Sequence, residues 1–158
     1  NDTFLAQVGD PRLEAVSHVY YEGLDVSAYP SLSWLWGGGG IVSTTGDISH
    51  FMWALLDDQV FSDPQSLETM MDWTSMASAG FDGLSYGLGM IQVDFGQFGM
   101  PEIGKIQGHN SMWNGFIYYW PQYNIVFTGA LNESLPMDGY TELAMPTMQA
   151  ILPYVSSE

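Results

Sequence analysis

The residues best placed to do chemistry lie in one short run, Gly108-His109-Asn110-Ser111-Met112-Trp113-Asn114-Gly115-Phe116. An imidazole followed by a carboxamide and a hydroxyl can move a proton and both donate and accept hydrogen bonds. The flanking glycines fit the end of one strand and the start of the next, which would gather these polar groups at a strand junction. In the plainer account, Gly108 and Gly115 serve turn geometry and His109 is a half-buried polar residue with a satisfied hydrogen bond. Taken alone, the run favours that account. A triad of His109 with Ser43 or Ser111 and Asp47 is a weaker alternative, because Ser43 and Thr44 read as capping residues and no serine sits in a G-x-S-x-G elbow. Metal binding is weaker again. His18, His50 and His109 are far apart in sequence, Asp57-Asp58 reads as a solvated helix end, and there is no cysteine, so neither a metal nor a cofactor is expected.

The elements that would position this run follow from periodicity. Ser17 to Glu22 reads as a strand closed by Gly23, with a long loop running to the glycines Gly37 to Gly40. Thr44 with Asp47 three residues on resembles a capping box. Ile48, Phe51, Met52, Leu55 and Leu56 then repeat at helical spacing, giving a helix from about Thr45 to Asp57. Asp63 before Pro64 caps a second, short helix whose apolar face is Leu67, Met70 and Met71. From Tyr86 to Ile91 the period shifts to two, which reads as a strand, with a glycine turn at Gly96 to Gly99. Lys105 to His109, Phe116 to Trp120 and Ile125 to Leu131 read as three further strands, the last two joined in a hairpin through Pro121-Gln122-Tyr123-Asn124. Ala144, Met148, Ile151, Leu152 and Val155 share one face of a terminal helix packed across the sheet; Pro146 suits its first turn and would disrupt it further in. The expected class is α+β, an antiparallel sheet with flanking helices.

Three segments, in order, resemble the C-terminal half of the penicillin-recognising serine hydrolases, the group of beta-lactamases, DD-peptidases and related esterases. They are Gly39-Gly40-Ile41-Val42-Ser43-Thr44-Thr45-Gly46-Asp47-Ile48, Tyr86-Gly87-Leu88-Gly89, and Gly108-His109 through Gly115-Phe116. The strand ending in Asn132 resembles the family's late strand, and the likeness runs from about Leu24 to Asn132. It implies the C-terminal part of a beta-lactamase/transpeptidase-like fold and acyl transfer through a serine in an S-x-x-K motif. It also implies a third motif, K-T-G or H-x-G, on a strand edge. His109 would take the polar or cationic role there, Asn110 and Ser111 would line the substrate, and the Met112 amide would serve the oxyanion hole. Ser111 stands where the family has glycine, and its side chain would narrow the groove.

The sequence contains no S-x-x-K and no Tyr-x-Asn, the second motif that the resemblance implies; its only lysine, Lys105, follows Glu102 at the S-x-x-K spacing. The expectation is therefore a single domain or fragment over residues 1–158, the C-terminal portion of a serine hydrolase and inactive alone. The alternative is a non-catalytic binding module on the same fold. Expected partners are a small-molecule or peptide substrate, the missing N-terminal segment, and a second copy through an uncovered sheet face or edge. A formal net charge of −16, with 18 acidic residues against Arg12 and Lys105, disfavours nucleic acid and anionic lipid. No apolar run is long enough to span a membrane. The aromatic residues Trp34, Trp36, Trp73, Trp113 and Trp120 read more as core than as a ligand surface. Family habit implies a periplasmic or secreted location.

Overall fold

The computed structural model describes residues 2–7, 9–27, 38–110, 115–133 and 139–156. The N-terminal part holds two small ribbons. Strand β1 (Phe4–Leu5) pairs antiparallel with β4 (Ile41–Val42), and β2 (Tyr20–Tyr21) pairs with β3 (Leu24–Asp25). The strand expected over Ser17 to Glu22 is thus only two residues long. Its chain reverses at Glu22 and Gly23, both at positive φ (49° and 79°), the geometry of a two-residue turn whose twist matches the strands it joins. Ten residues of the expected loop, 28–37, including Trp34 and Trp36, lie outside the described residues.

Asp25 fastens this ribbon by accepting from the Ser27 amide and approaching His18 Nδ1 at 2.6 Å. Hydrogen bonding from Ser27 and then His18 pulls its carboxyl down to about 2. A depressed carboxyl contributes stability above its unfolded value near 4, and this contribution is lost as pH falls through the folded value. Thermal melts of the chain and of Asp25→Asn are expected to converge between pH 4 and pH 2; a constant difference across that window would show that the carboxylate does not act through ionisation.

Helix α1 (Thr45–Leu56) starts where expected, with Thr44 Oγ1 accepting from the Asp47 amide at 3.1 Å. The capping box is only half made. Asp47 Oδ2 accepts instead from Thr3 Oγ1 (2.8 Å) and the Asp2 amide (3.0 Å), so it ties the residues just before the first strand to the helix rather than closing its own turn. Helix α2 (Gln65–Met70) follows, with Asp63 accepting from the Gln65 amide.

The main sheet has six antiparallel strands: β5 (Thr74–Ser75), β6 (Leu84–Tyr86), β7 (Ile91–Asp94), β8 (Lys105–Asn110), β9 (Gly115–Trp120) and β10 (Ile125–Ala130), in the order β10-β9-β8-β7-β6-β5. The strand expected from Tyr86 to Ile91 is corrected to a hairpin turn between β6 and β7, closed by the Gly87 amide on the Met90 carbonyl, with Gly89 at φ 75°. Gly87 is required by space, because a Cβ there would lie 2.2 Å from the Met70 carbonyl that ends α2. The glycine turn at Gly96 to Gly99 is a short 3-10 turn over Phe95–Phe98, with the Gly96 amide held by Asp94.

Period-two burial on β9 divides the core. Phe116, Tyr118 and Trp120 pack with Ile106, Ala144 and Met148 against helix α3 (Gly139–Val155), while Ile117 and Tyr119 pack with Met52 and Leu55 of α1. Both faces of the sheet therefore carry helices, which corrects the expectation of an uncovered face. The outer edge of β10 has no partner strand among the described residues. Helix α3 runs through Pro146 and Pro153 instead of starting near the first. Both prolines are exposed, on the side where water can reach carbonyls left without an intrahelical donor. The tryptophans Trp73 and Trp120 are in the two core clusters, as the core reading required. Trp113 lies outside the described residues.

Candidate functional site

The site is built at the C-terminal end of β8. Strand β7 begins at Ile91, which pairs with Gly108, so His109 and Asn110 run past the end of β7 while still pairing with Ile117 and Phe116 of β9. Beyond Gly108 no described strand covers β8 on the β7 side. The hairpin turn that corrected the sequence reading is what creates this step in the sheet, since the chain leaves the ladder between Tyr86 and Ile91.

Gly108 allows β8 to lie close to β9 at that point. A Cβ would fall 1.9 Å from the Ile117 carbonyl oxygen, and its φ is not in the left-handed region, so the glycine answers a need for space in mid-sheet rather than a turn. This replaces the turn role expected from sequence.

His109 is half-buried, and both ring nitrogens are engaged. Nδ1 lies 2.5 Å from the Asn110 carbonyl oxygen and Nε2 lies 2.9 Å from the Tyr86 hydroxyl, whose ring meets the imidazole edge-on at 5.8 Å. A carbonyl has no proton to give, so Nδ1 carries the hydrogen. In the neutral ring Nε2 is then the acceptor and Tyr86 the donor. Asn110, one residue on, accepts at Oδ1 from the Tyr118 hydroxyl at 2.6 Å. Tyr118 is buried, and the loss of water raises its phenol above the ordinary tyrosine value, so it acts there as a neutral donor. The sequence reading singled out His109 and Asn110 but not the two tyrosines that orient them. Tyr86 lay within a segment already noted, and its role appears only when the β6–β7 turn brings it beside β8.

Ser111 and Met112 lie outside the described residues. Ser43 and Asp47 do not join His109: Ser43 Oγ pairs with Thr3 Oγ1 at 2.7 Å, and Asp47 bonds to Asp2 and Thr3. Ser43 is therefore not a helix cap, and that role falls to Thr44 alone. Lys105 sits at the opposite end of β8, 3.7 Å from Asp94 across the ladder. Among the described residues no cluster of His, Cys, Asp or Glu could hold a metal ion, and no helix is long and apolar enough to cross a membrane.

Comparison with known proteins agrees with this architecture. No curated protein matches the chain. Residues 2–148 match the profile of the family described as Beta-lactamase, a wider span than the Leu24 to Asn132 over which the motifs are recognisable. With that match lying over most of the α+β fold, including the stepped strand end at His109, the chain belongs to the Beta-lactamase family.

Proposed function

We propose that this chain supplies the substrate-side strand edge of a serine acyl-transfer site acting on D-alanyl peptides, beta-lactams or short esters. The observation that carries the reading is the overhang of His109 and Asn110 past β7, which leaves a length of strand edge to which an extended substrate can hydrogen-bond. In this reading Asn110 and Ser111 line the bound chain, and the Met112 amide stabilises the oxyanion that forms when a serine attacks the substrate carbonyl. The serine nucleophile and the lysine that takes its proton come from a segment beyond these 158 residues, because the sequence holds no S-x-x-K. Leu5, Ile41 and Phe51, each at least half exposed, are consistent with a surface that such a segment covers. The outer edge of β10 offers a second place for it, or for another copy, to pair. A periplasmic or secreted location fits these substrate classes.

The test is the intact mass of the chain before and after incubation with a fluorophosphonate and, separately, with a penicillin. No adduct is expected. A stoichiometric adduct on a serine of this chain would overturn the assignment of the nucleophile to another segment. Ser111 in the glycine position favours a second reading, a binding module without turnover, which predicts reversible penicillin binding even when a segment bearing Ser-x-x-Lys is restored.

A further inference from the structure

With both nitrogens of His109 committed, one to its own main chain and one to Tyr86, the imidazole has no hydrogen-bonding atom left for a ligand. Tyr86 does, because it is 37% exposed at the step in the sheet and its hydroxyl oxygen keeps a lone pair beyond the His109 bond. We propose that Tyr86 is the specificity-determining group at this strand end, and that the protonation of His109 decides whether its hydroxyl accepts from a substrate or donates to it. The proposal deepens the acyl-transfer reading and rests on it for the identity of the site.

The switch follows from donor and acceptor counting. While His109 is neutral, Nδ1–H donates to the Asn110 carbonyl, Nε2 is bare, and the Tyr86 hydrogen points inward at Nε2. The outward side of the hydroxyl is then an acceptor, suited to the N–H of an amide or the O–H of an alcohol. When His109 takes up a proton, Nε2–H becomes the donor and the Tyr86 oxygen must accept from it. The tyrosine hydrogen turns outward beside an imidazolium, and the same atom becomes a donor suited to a carboxylate. The Nδ1 bond to Asn110 is unchanged between the two states, so the ring need not move.

Among the described residues the surroundings supply no rival partner. Tyr118 of β9 gives its hydroxyl to Asn110 Oδ1, and on β7 and β8 the charged residues Asp94 and Lys105 pair with each other at the far end of the ladder. Among the described residues no carboxylate is a hydrogen-bond or ion-pair partner of His109. On this face of the sheet Met52 and Leu55 of α1, Met70 of α2 and Met90 of the β6–β7 turn share one cluster, and all four are apolar.

The experiment is 15N NMR of the three histidines in the 158-residue chain and in Tyr86→Phe, followed by titration with N-acetylglycine as a carboxylate probe above and below the protonation of His109. Removing one exposed hydroxyl leaves the ring packing intact, so the variant is expected to fold. His109 should show the Nδ1–H tautomer when neutral, and its Nε2 resonance alone should move in Tyr86→Phe. The probe should bind about tenfold more tightly below the His109 transition than above it, through one charge-assisted hydrogen bond, and that gain should vanish in Tyr86→Phe. An Nε2–H tautomer, an Nε2 resonance indifferent to the substitution, or a pH-dependence retained in Tyr86→Phe would each overturn the proposal. The tautomer and its response need no acyl transfer, so failure of the functional reading is recognised separately, by the mass experiment.

Discussion

Trp120→Ala should lower the stability of the chain by about 3 to 5 kcal/mol, the usual range for deleting a large buried aromatic side chain. Trp120 is fully buried at the end of β9, meets Tyr123 edge-to-face at 4.6 Å, and gives its indole N–H to the Ile103 carbonyl at 2.6 Å. Deletion would leave both a cavity and a buried carbonyl without its donor. For a domain of this size each kcal/mol is worth roughly 2 to 4 °C, so the melting temperature should drop by about 6 to 20 °C. Trp120→Phe separates the two contributions, since it keeps most of the apolar volume and loses the hydrogen bond; about 1 to 3 kcal/mol is expected for the orphaned carbonyl. Urea melts of the two variants check both figures. A Trp120→Phe variant as stable as the parent would mean that the Ile103 carbonyl finds another donor.

Gly108→Ala should cost on the order of 3 kcal/mol, the upper range for forcing an extra carbon into a packed interior. The new Cβ would stand 1.9 Å from the Ile117 carbonyl oxygen and 2.8 Å from Tyr118 Cα, both backbone atoms of the neighbouring strand, so no rotamer change relieves the contact. Strands β8 and β9 would have to part next to His109, and the expected signature is a lower urea midpoint together with loss of the His109–Tyr86 bond. Gly46→Ala is the control. A Cβ there meets nothing closer than 3.8 Å, and in the first turn of α1 alanine should be neutral or stabilising by up to about 1 kcal/mol. If Gly108→Ala melted like Gly46→Ala, the close approach of the two strands would not hold in solution.

Helix α1 was legible because Met52 and Leu55 recur at helical spacing behind a threonine cap. The β8–β9–β10 run was legible because apolar and aromatic residues alternate on both sides of a proline turn, which Asn124 closes at φ 52°. The β6–β7 hairpin has the pattern of a continuous strand, because Tyr86, Leu88 and Met90 keep period two through the turn. What marks the turn is the contact of the Gly87–Leu88 backbone with the end of α2, and α2 is far enough away in sequence for no local pattern to reveal it. Asp47 was assigned to its own helix turn for the same reason, since its partners Thr3 and Asp2 are more than 40 residues away.

The elements with local signals can be read along the chain: the periodicity of the helices and long strands, the caps, the proline turn, and the ordered motifs that point to the family. His109 and Asn110 can be read there too, as the polar residues of the strand junction. Which groups those residues face depends on contacts between distant segments. Tyr86 reaches His109 across 23 positions, and Tyr118 reaches Asn110 through the strand register. The register is set by burial of alternate β9 residues on two opposite sheet faces, a property of the packed layers that no short stretch of chain contains.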